Sequence, residues 1–396
     1  MLNFGKYSGN ELQYIKRFLD TENPENKNYP WVQKFEEKFI ELSGSKYAIA
    51  VNSATSGLHS AIIACDLKPG DEVIAPAITV VMNSVATIIS GFVPVFADIN
   101  PKTWNIDIDT ILPKVTNRTK VIMPVSLFGL PVDIDPIMKF AKEKNIKVID
   151  DSAETMMGFY KNKFAGTHAD IAVYSFENKK HITSGGEGGM VITSNSDLAT
   201  KVRRFAGIGY KNLTASTGRT SLASEEFQNP IYKRHNTLGL NYRMTPLTAC
   251  VGLAQLERVE EIVERRKMVA GFFLEAVKDC SWMIKQDTIK EANHTYYTAG
   301  FAYLGEKQKS ISWTSFYKQY RSLGGDGFYS AWVSPYLEDV LYGKKYANTV
   351  CKEGLCPIAE DLQKKIMLFK TNYRNLDEAK RQAEILSNLI DKIGRD

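Results

Sequence analysis

The N-terminal part of the chain alternates between short apolar runs and longer stretches with helical spacing, such as the helix predicted at residues 135–144. Short apolar runs separated by helices are typical of parallel strands that are buried on both faces. The pattern therefore predicts an α/β fold with a mostly parallel sheet and helices on both faces. Its strands are predicted at residues 47–52, 72–75, 93–96, 121–125, 148–151, 171–176 and 190–193.

The pattern changes at Pro246. From Leu247 to about Val277, apolar residues recur at helical spacing, which predicts one long helix that links two parts of the molecule. Beyond it, a strand at 298–303 and helices at 314–323 and 376–393 predict a smaller α/β domain. We therefore expect a large domain at residues 1–245, and the linking helix with the small domain at residues 246–396.

Two lysines stand where a predicted strand ends and a glycine-rich loop begins. The run at 171–176 is followed by Lys179 and Lys180 and then by glycine pairs at 185–186 and 188–189. A lysine whose pKa is lowered by a neighbouring cation in a partly apolar cleft can form a Schiff base. A solvated surface loop would have the same composition. This segment alone does not separate the two interpretations.

Two further polar segments follow predicted strands upstream of these lysines. Asp151 ends the run at 148–151, where an acid can either keep a pyridine nitrogen protonated or cap the next helix. Residues 52–56 form a turn of small residues before a helix, which suits a phosphate, although Ser and Thr are also ordinary helix caps. The turn is neither a Walker loop nor a glycine fingerprint, which argues against nucleoside triphosphates and dinucleotides there.

Taken in order, the turn at 52–56, Asp151, and Ser175 with Lys180 five residues later resemble the DegT/DnrJ/EryC1/StrS aminotransferases. The resemblance covers nearly the whole chain. It implies the fold-type I transferase architecture with a smaller C-terminal α/β domain, and pyridoxal 5'-phosphate (PLP) as cofactor. It also implies transfer of an amino group from glutamate or glutamine to a keto-sugar, usually nucleotide-linked. Other matching segments are 69–74, 76–79, 94–99, 241–245, 252–257 and 356–360.

The resemblance implies a role for each matching residue. Lys180 would form the Schiff base with PLP and then shuttle the proton, and Asp151 would pair with the pyridine nitrogen. Asn241 would reach the cofactor phosphate of a neighbouring subunit, so a homodimer with shared active sites is expected. The cofactor phosphate would be held by the backbone at Thr55 and Ser56 and by the hydroxyl of Ser175.

Three features depart from the family pattern. Glu154 stands where the family usually places Gln or His against the 3-oxygen of the cofactor, and a carboxylate there would repel a phenolate unless one of them carries a proton. Val80 stands where an aromatic residue commonly stacks on the cofactor ring. The segment 184–189 has one residue more than the usual arrangement.

Residues that contact the substrate are less clearly marked. Arg243 could meet a substrate anion, although an arginine there is more often part of an ion pair. His235, in a polar stretch at 210–236, and His181, next to Lys180, are further candidates. The polar stretch is interpreted either as a substrate loop or as a disordered surface segment.

The residue at position 180 distinguishes transamination from sugar dehydration within the family that the sequence resembles. A branch of the family carries histidine in its place and dehydrates sugars, but the offset from Ser175 identifies Lys180, rather than His181, as the matching residue. Transamination in amino-sugar and surface-glycan biosynthesis is therefore predicted. Dehydration or decarboxylation with PLP is the alternative, and a non-catalytic regulator with this fold is a weaker one. The sequence does not identify the keto-sugar, its nucleotide, the aminated carbon or the donor.

The composition fits a cytoplasmic enzyme. With 396 residues, of which 44% are hydrophobic, the chain can form two domains with large cores. The net charge of +5 is mild and lysines are spread among acids, so we expect small-molecule partners and neither nucleic acid nor membrane. The five cysteines lack paired metal-ligand spacing, and no metal is expected. No signal-peptide core or membrane-spanning run is found.

Overall fold

The computed structural model describes residues 4–26, 29–218 and 223–396. The strands are β1 Tyr47–Val51, β2 Glu72–Pro76, β3 Val93–Ala97, β4 Thr119–Ile122, β5 Lys147–Asp151, β6 Phe159–Tyr160, β7 Lys163–Phe164, β8 Ile171–Ser175, β9 Gly189–Thr193, β10 Met283–Lys285, β11 Ala292–Asn293, β12 Thr298–Tyr303, β13 Lys345–Tyr346, β14 Thr349–Val350 and β15 Ile366–Lys370. The helices are α1 Glu11–Leu19, α2 Trp31–Ser43, α3 Ala54–Ala64, α4 Met82–Ile89, α5 Ile108–Ile111, α6 Ile134–Lys144, α7 Ser196–Ala206, α8 Ser224–Gln228, α9 Pro246–Leu256, α10 Val259–Ala276, α11 Gly305–Lys309, α12 Trp313–Ser322, α13 Pro357–Gln363 and α14 Leu376–Ile393.

A seven-stranded sheet with the order β1-β9-β8-β5-β4-β2-β3 forms the centre of the N-terminal part. Strand β9 is antiparallel to β1 and β8, and the other neighbouring pairs are parallel. This confirms the predicted mostly parallel sheet. Strand β4 ends at Ile122 rather than at residue 125. Pro124 has no N–H to donate to a ladder, and pairing resumes beyond it only as an isolated bridge between Val125 and Asp151.

Alternate residues of the central strands enter two different cores. In β8, Ala172 and Tyr174 pack with residues of α2 and α9, whereas Ile171 and Val173 pack with residues of α3 and α7. Alternate side chains of β1 and β9 enter the same two cores. Because successive side chains of a strand point to opposite faces, the sheet is covered by helices on both faces, as predicted.

A three-stranded sheet of β10, β12 and β15 lies in the C-terminal part. It forms a core with α10, α12 and α14, in which Phe301, Phe316 and Phe369 are buried. This confirms the smaller C-terminal α/β unit. Other C-terminal residues, such as Tyr336 and Cys356, pack instead in the core around β2, β3 and β4. The division at residues 245 and 246 stays a prediction.

The single long helix predicted at 247–277 is wrong, because α9 and α10 are separate helices. The helical backbone is interrupted at Arg258, which has φ −112° and ψ 11°. Just before the break, the Glu257 carboxylate accepts hydrogen bonds from Asn10 at 2.8 Å and Tyr14 at 2.5 Å. Asn10 is separated from Glu257 by 247 positions. Since the apolar spacing continues across the break, the sequence pattern did not reveal it.

The polar stretch predicted at 210–236 contains α8 and an isolated bridge between Tyr210 and His235. Residues 219–222 of this stretch lie outside the described residues. In the described ranges, no helix has both the length and the apolar character that crossing a bilayer requires.

Candidate active site

Four neighbouring strands, β1, β9, β8 and β5, bring their ends together at one edge of the sheet. Gly189 of β9 pairs with Val51 of β1 on one side and with Ser175 of β8 on the other. Asp151 of β5 pairs with Val173 of β8, two residues before Ser175. Ligands of open α/β sheets bind at such an edge. The predicted site residues at the ends of β5 and β8 therefore lie side by side, next to the turn that follows β1.

The turn after β1 is built as the start of helix α3. Ser53 caps the helix, accepting a hydrogen bond from the Ser56 N–H at 3.1 Å, and its hydroxyl lies 2.7 Å from that of Ser56. The first amides of a helix have no acceptor within the helix, and the helix dipole favours an anion near them. Gly189 lets β9 approach this turn closely, because a Cβ atom there would lie 2.7 Å from the carbonyl carbon of Ser53. The predicted phosphate turn therefore has the geometry of an anion site.

Asp151 is buried, and both of its carboxylate oxygens accept hydrogen bonds. The Asn83 side-chain amide donates to one oxygen at 2.9 Å, and the Ala153 N–H donates to the other at 3.1 Å. Burial raises the pKa of Asp151, while these two donors and the positive charge of Lys180 oppose the rise. The carboxylate is thus held in a fixed orientation inside the protein.

Asn83 was missed by the sequence analysis. It lies in α4 and is fully buried, and its side-chain oxygen accepts a hydrogen bond from the Thr79 hydroxyl at 3.1 Å. This bond orients the amide so that its N–H group points to Asp151. A polar residue four positions after Thr79, at helical spacing, was the available signal, but β5 is far from it in the sequence, so the pairing was not evident.

Lys180 forms an ion pair with Glu154 at 3.1 Å. The second oxygen of Glu154 accepts the Phe128 N–H at 3.0 Å, and Phe128 holds a left-handed backbone with φ 58°. The Tyr297 ring centroid lies 4.6 Å from the Lys180 amine. Lys180 and Glu154 are 16% and 5% exposed at their side chains, so water screens their attraction weakly.

The protonation of Lys180 follows from two opposing influences. Burial lowers the pKa of Lys180, but the charge of Glu154, its hydrogen bond and the nearby Asp151 together outweigh burial, so the pKa is raised above its ordinary value. In one of the two interpretations of the sequence segment, a neighbouring cation would lower the pKa of this lysine. The structure gives the opposite direction, because a carboxylate, rather than a cation, is the nearest charged partner.

A second missed residue, Arg266 of α10, holds the backbone beside the amine. Its buried guanidinium donates to the main-chain oxygen of Lys180 at 2.8 Å and to that of Tyr297 at 3.1 Å. Burial lowers the pKa of Arg266 to about 10. An arginine in an amphipathic helix is predicted to lie on the solvent-exposed face, so nothing in the sequence indicated this role.

The remaining predicted residues occupy three different environments. Ser175 is half-buried at the end of β8, and its hydroxyl accepts the Glu177 N–H at 3.3 Å. Val80 is 37% exposed. His181 is buried, its Nε2 atom lies 3.1 Å from the Thr295 carbonyl oxygen, and burial lowers its pKa well below the usual value.

Asn241, Arg243 and His235 lie on an exposed segment that follows α8. Asn241 accepts a hydrogen bond from Arg243 at 3.0 Å. His235 stacks on Tyr210, with ring centroids 4.7 Å apart, and contacts the Ile208 carbonyl oxygen at 2.8 Å. The segment adjoins the site edge, because the Asn52 N–H donates to the Tyr242 oxygen at 2.8 Å. Asn241 and Arg243, on either side of Tyr242, are therefore beside the phosphate turn, whereas His235 lies against Tyr210. All three are open to solvent, and the contacts described for them do not involve Lys180.

The chemistry of these groups fits PLP. The cofactor has an aldehyde, a pyridine nitrogen and a phosphate. At one sheet edge the structure offers an amine on Lys180, a buried and oriented carboxylate on Asp151, and the start of α3 with the nearby Ser175 hydroxyl. Each group of the cofactor thus has a partner of complementary charge or reactivity.

This fold and site are those of an aminotransferase of the PLP-dependent type. The chain belongs to the DegT/DnrJ/EryC1/StrS aminotransferase family, whose model matches residues 7–368. It is 35% identical over 293 residues to a GDP-perosamine synthase from Escherichia coli O157:H7, covering 73% of this chain and 74% of the relative. It is 38% identical over 275 residues to a GDP-perosamine synthase from Caulobacter vibrioides, covering 68% and 67%. An aminotransferase structure from Psychrobacter cryohalolentis superposes with a TM-score of 0.85 at 27% identity, over 97% of both chains.

Replacing Asn83 with Leu should weaken PLP binding at neutral pH, because Asn83 lowers the pKa of Asp151 and a protonated Asp151 no longer offers a negative charge to the pyridine nitrogen. Each pH unit by which the Asp151 pKa exceeds the working pH costs about tenfold in affinity. Without that donor the pKa of Asp151 rises further, so the affinity should recover as the pH increases and Asp151 ionises. Absorbance titrations with PLP at several pH values measure both effects.

Asn105→Leu is the matched control for Asn83→Leu. Asn105 is also buried, but it bonds to Leu127 and Leu130 rather than to Asp151. This variant should lose stability and keep its PLP affinity. Equal losses of PLP affinity in the two variants would show that Asn83 has no specific effect on Asp151.

Replacing Glu154 with Gln should lower the pKa of Lys180 by about 1–3 pH units, because it removes the nearest opposite charge. A lysine must be neutral to attack an aldehyde, so the rate at which the cofactor-free protein captures PLP should reach its maximum at lower pH than in the wild type. Stopped-flow absorbance across neutral and alkaline pH measures the profile. Glu177→Gln is the control, because that carboxylate contacts the Lys179 N–H rather than the Lys180 amine. If the pH profile of PLP capture were the same in Glu154→Gln and the wild type, Glu154 would not be the group that raises the pKa of Lys180.

Proposed function

We propose that this protein is a PLP-dependent aminotransferase that moves an amino group from glutamate or glutamine to a nucleotide-linked keto-sugar. The observation that carries the proposal is the meeting of the Lys180 amine, the Asp151 carboxylate and the start of α3 at one sheet edge. The names of the two GDP-perosamine synthases support a GDP-linked keto-sugar as the first acceptor to test. The product would be an amino sugar for a surface glycan, made in the cytoplasm.

When bound, PLP would supply an aldehyde and an electron-withdrawing ring. Lys180 would hold the cofactor covalently, and Asp151 would keep its pyridine nitrogen protonated by offering a fixed negative charge. The phosphate would be bound by the free amides and hydroxyls at the start of α3, including those of Thr55 and Ser56, and by Ser175.

Lys180 would also move the proton that transamination requires. Its Nζ atom, once released by an incoming amine, can take a proton from the donor carbon. Glu154, at 3.1 Å, is close enough to accept that proton from Nζ or return it. The Tyr297 ring face, 4.6 Å from Nζ, stabilises the ammonium form.

Transamination is favoured over dehydration by the surroundings of His181. A histidine that acts on a sugar has to reach the reacting atoms, but His181 is 4% exposed and its Nε2 atom faces the Thr295 carbonyl oxygen. Lys180 is the residue of this pair whose side chain lies among the carboxylates. This contrast supports Lys180 as the group that reacts.

Exposed apolar side chains on the segment that carries Asn241 support a homodimer. Ile231 is 83% exposed, Leu238 is 93% exposed and Leu240 is 43% exposed. Apolar side chains clustered on a surface mark interaction sites. We propose that a second copy covers this segment, and that Asn241 contacts the cofactor phosphate of that copy.

Lys180→Ala should abolish the covalent link to PLP and the transfer activity. In the wild type, we expect a visible band that moves to shorter wavelength when glutamate or glutamine is added, because the amino group passes to the cofactor. Spectra with each donor identify it, and mass spectrometry with a GDP-linked keto-sugar detects the amino sugar. Lys163→Ala, at an exposed lysine, is the control. A wild-type band that neither donor moves would favour another PLP reaction, and no band would refute the catalytic proposal.

Asn241→Ala should weaken PLP binding in trans. When Asn241→Ala and Lys180→Ala proteins are mixed and reassembled, each mixed dimer would contain one intact site, formed by Lys180 of one copy and Asn241 of the other. Tight PLP binding should therefore return on mixing, as measured by absorbance, with sedimentation confirming the dimer. If PLP binding did not recover in the mixture, or if the wild-type protein kept PLP as a monomer, the proposal of shared sites would be contradicted.

A further inference from the structure

Apart from the candidate active site, a cavity lies on the main-chain side of Lys180, away from the Lys180–Glu154 ion pair. It has a volume of about 220 Å³ and is formed by the N-terminal segment, the loop after β8, α10 and the residues after β15. Neither Asp151, Glu154 nor Ser175 lines it. Besides Lys180, whose amine pairs with Glu154, five of its lining residues are cationic and none is acidic: Lys6, Lys179, Arg265, Arg266 and Arg374. We call this the cationic pocket.

Carbonyl oxygens, rather than carboxylates, hold several of these cations in place. Lys6 donates to the Asn178 oxygen at 2.7 Å. Arg265 donates to the main-chain oxygens of Tyr373 at 3.2 Å and Arg374 at 2.7 Å. Carbonyl groups orient a cation without neutralising it. The fold thus positions positive charges around the cavity without pairing them directly with carboxylates.

Five cations of this cluster have no carboxylate partner, unlike several other cations that the described part of the chain holds in ion pairs. Arg118, Lys147 and Arg203, for example, each pair with a carboxylate within 4 Å. In the described ranges, Lys6, Lys179, Arg265, Arg266 and Arg374 make no such pair. Glu177 is close enough to raise the pKa of Lys6, yet burial, with Arg374 and Arg266, lowers it overall. Like charges held together in this way attract an anion.

His181 forms part of the wall of the cationic pocket. It lines the same cavity, it is 4% exposed, and its Nδ1 atom is buried with no hydrogen-bond partner among the described residues. Because Nε2 faces a carbonyl oxygen and must carry the ring proton, Nδ1 is an acceptor. A buried acceptor without a donor is costly. Because Nδ1 is closed to solvent, a ligand in the cavity does not reach it as the structure stands, and His181 contributes a neutral imidazole to the wall.

We propose that the cationic pocket binds a small dianion of the phosphate or dicarboxylate class. Its volume lies below the roughly 300–1,000 Å³ of sites for drug-sized ligands, which argues against a nucleotide-sugar and for a small oxyanion. Lys179 and Arg374 are exposed and have no ion-pair partner in the described chain, so they are the groups free to reach the ligand. Because Arg266 contacts the main chain of both Lys179 and Lys180, the bound anion lies against the backbone of the reactive lysine. The site does not depend on the proposed transfer reaction.

Calorimetric titration of the PLP-loaded protein with inorganic phosphate, and separately with succinate, tests the proposal. Bound PLP occupies the cofactor phosphate site, and succinate has no amino group to transfer. Ionic strength is kept constant with sodium chloride. We expect one site per chain for at least one of the two anions. Tighter binding of phosphate or of succinate identifies which source of the dianion the pocket prefers.

Arg374→Gln and Lys179→Gln should each weaken this binding by about tenfold or more, since hydrogen bonds to charged groups are worth roughly 1.5–3 kcal/mol. Both side chains are exposed, so the variants should fold, which thermal unfolding verifies. Lys307→Gln removes an exposed lysine elsewhere and should bind as the wild type does. No heat beyond that of sodium chloride, or equal affinity in Arg374→Gln and the wild type, would overturn the proposal.

Discussion

The buried ion pair between Lys180 and Glu154 is the interaction on which the arrangement of the site depends. A charged amine inside a protein is stable only when an opposite charge and hydrogen bonds compensate for the lost water. Glu154 provides that charge at 3.1 Å, and the Phe128 N–H holds the second carboxylate oxygen. Three separate segments of the chain must therefore be in place before the lysine can occupy its position.

The same edge of the sheet also holds Asp151, so two carboxylates share the field of one lysine. Their orientations are set by different donors, with Asn83 and Ala153 on Asp151 and Phe128 on Glu154. A site built in this way keeps its polar groups aligned without a ligand, which reduces the reorganisation that binding requires. The raised pKa of Lys180 follows from this crowding of negative charge.

The loop that carries Lys180 faces two different electrostatic environments. Its amine points to carboxylates, whereas the cavity on its main-chain side is lined by cations. Arg266 connects the two, because it is bonded to the main chain of Lys180 and lines the cationic pocket. The modest net charge of +5 therefore conceals a local separation of charge that composition does not reveal.

The sequence by itself determined the α/β class and the strands of the central sheet, and it predicted Lys180, Asp151 and Ser175 as site residues, because apolar periodicity and local motifs depend on neighbours in the chain. Tertiary structure decided what lies beside those residues. The contacts of Asn83 with Asp151, of Arg266 with Lys180, and of Asn10 with Glu257 at the helix break join positions that are far apart in the sequence. The direction of the Lys180 pKa was decided in the same way, since it depends on which charge is nearest in space rather than in the chain.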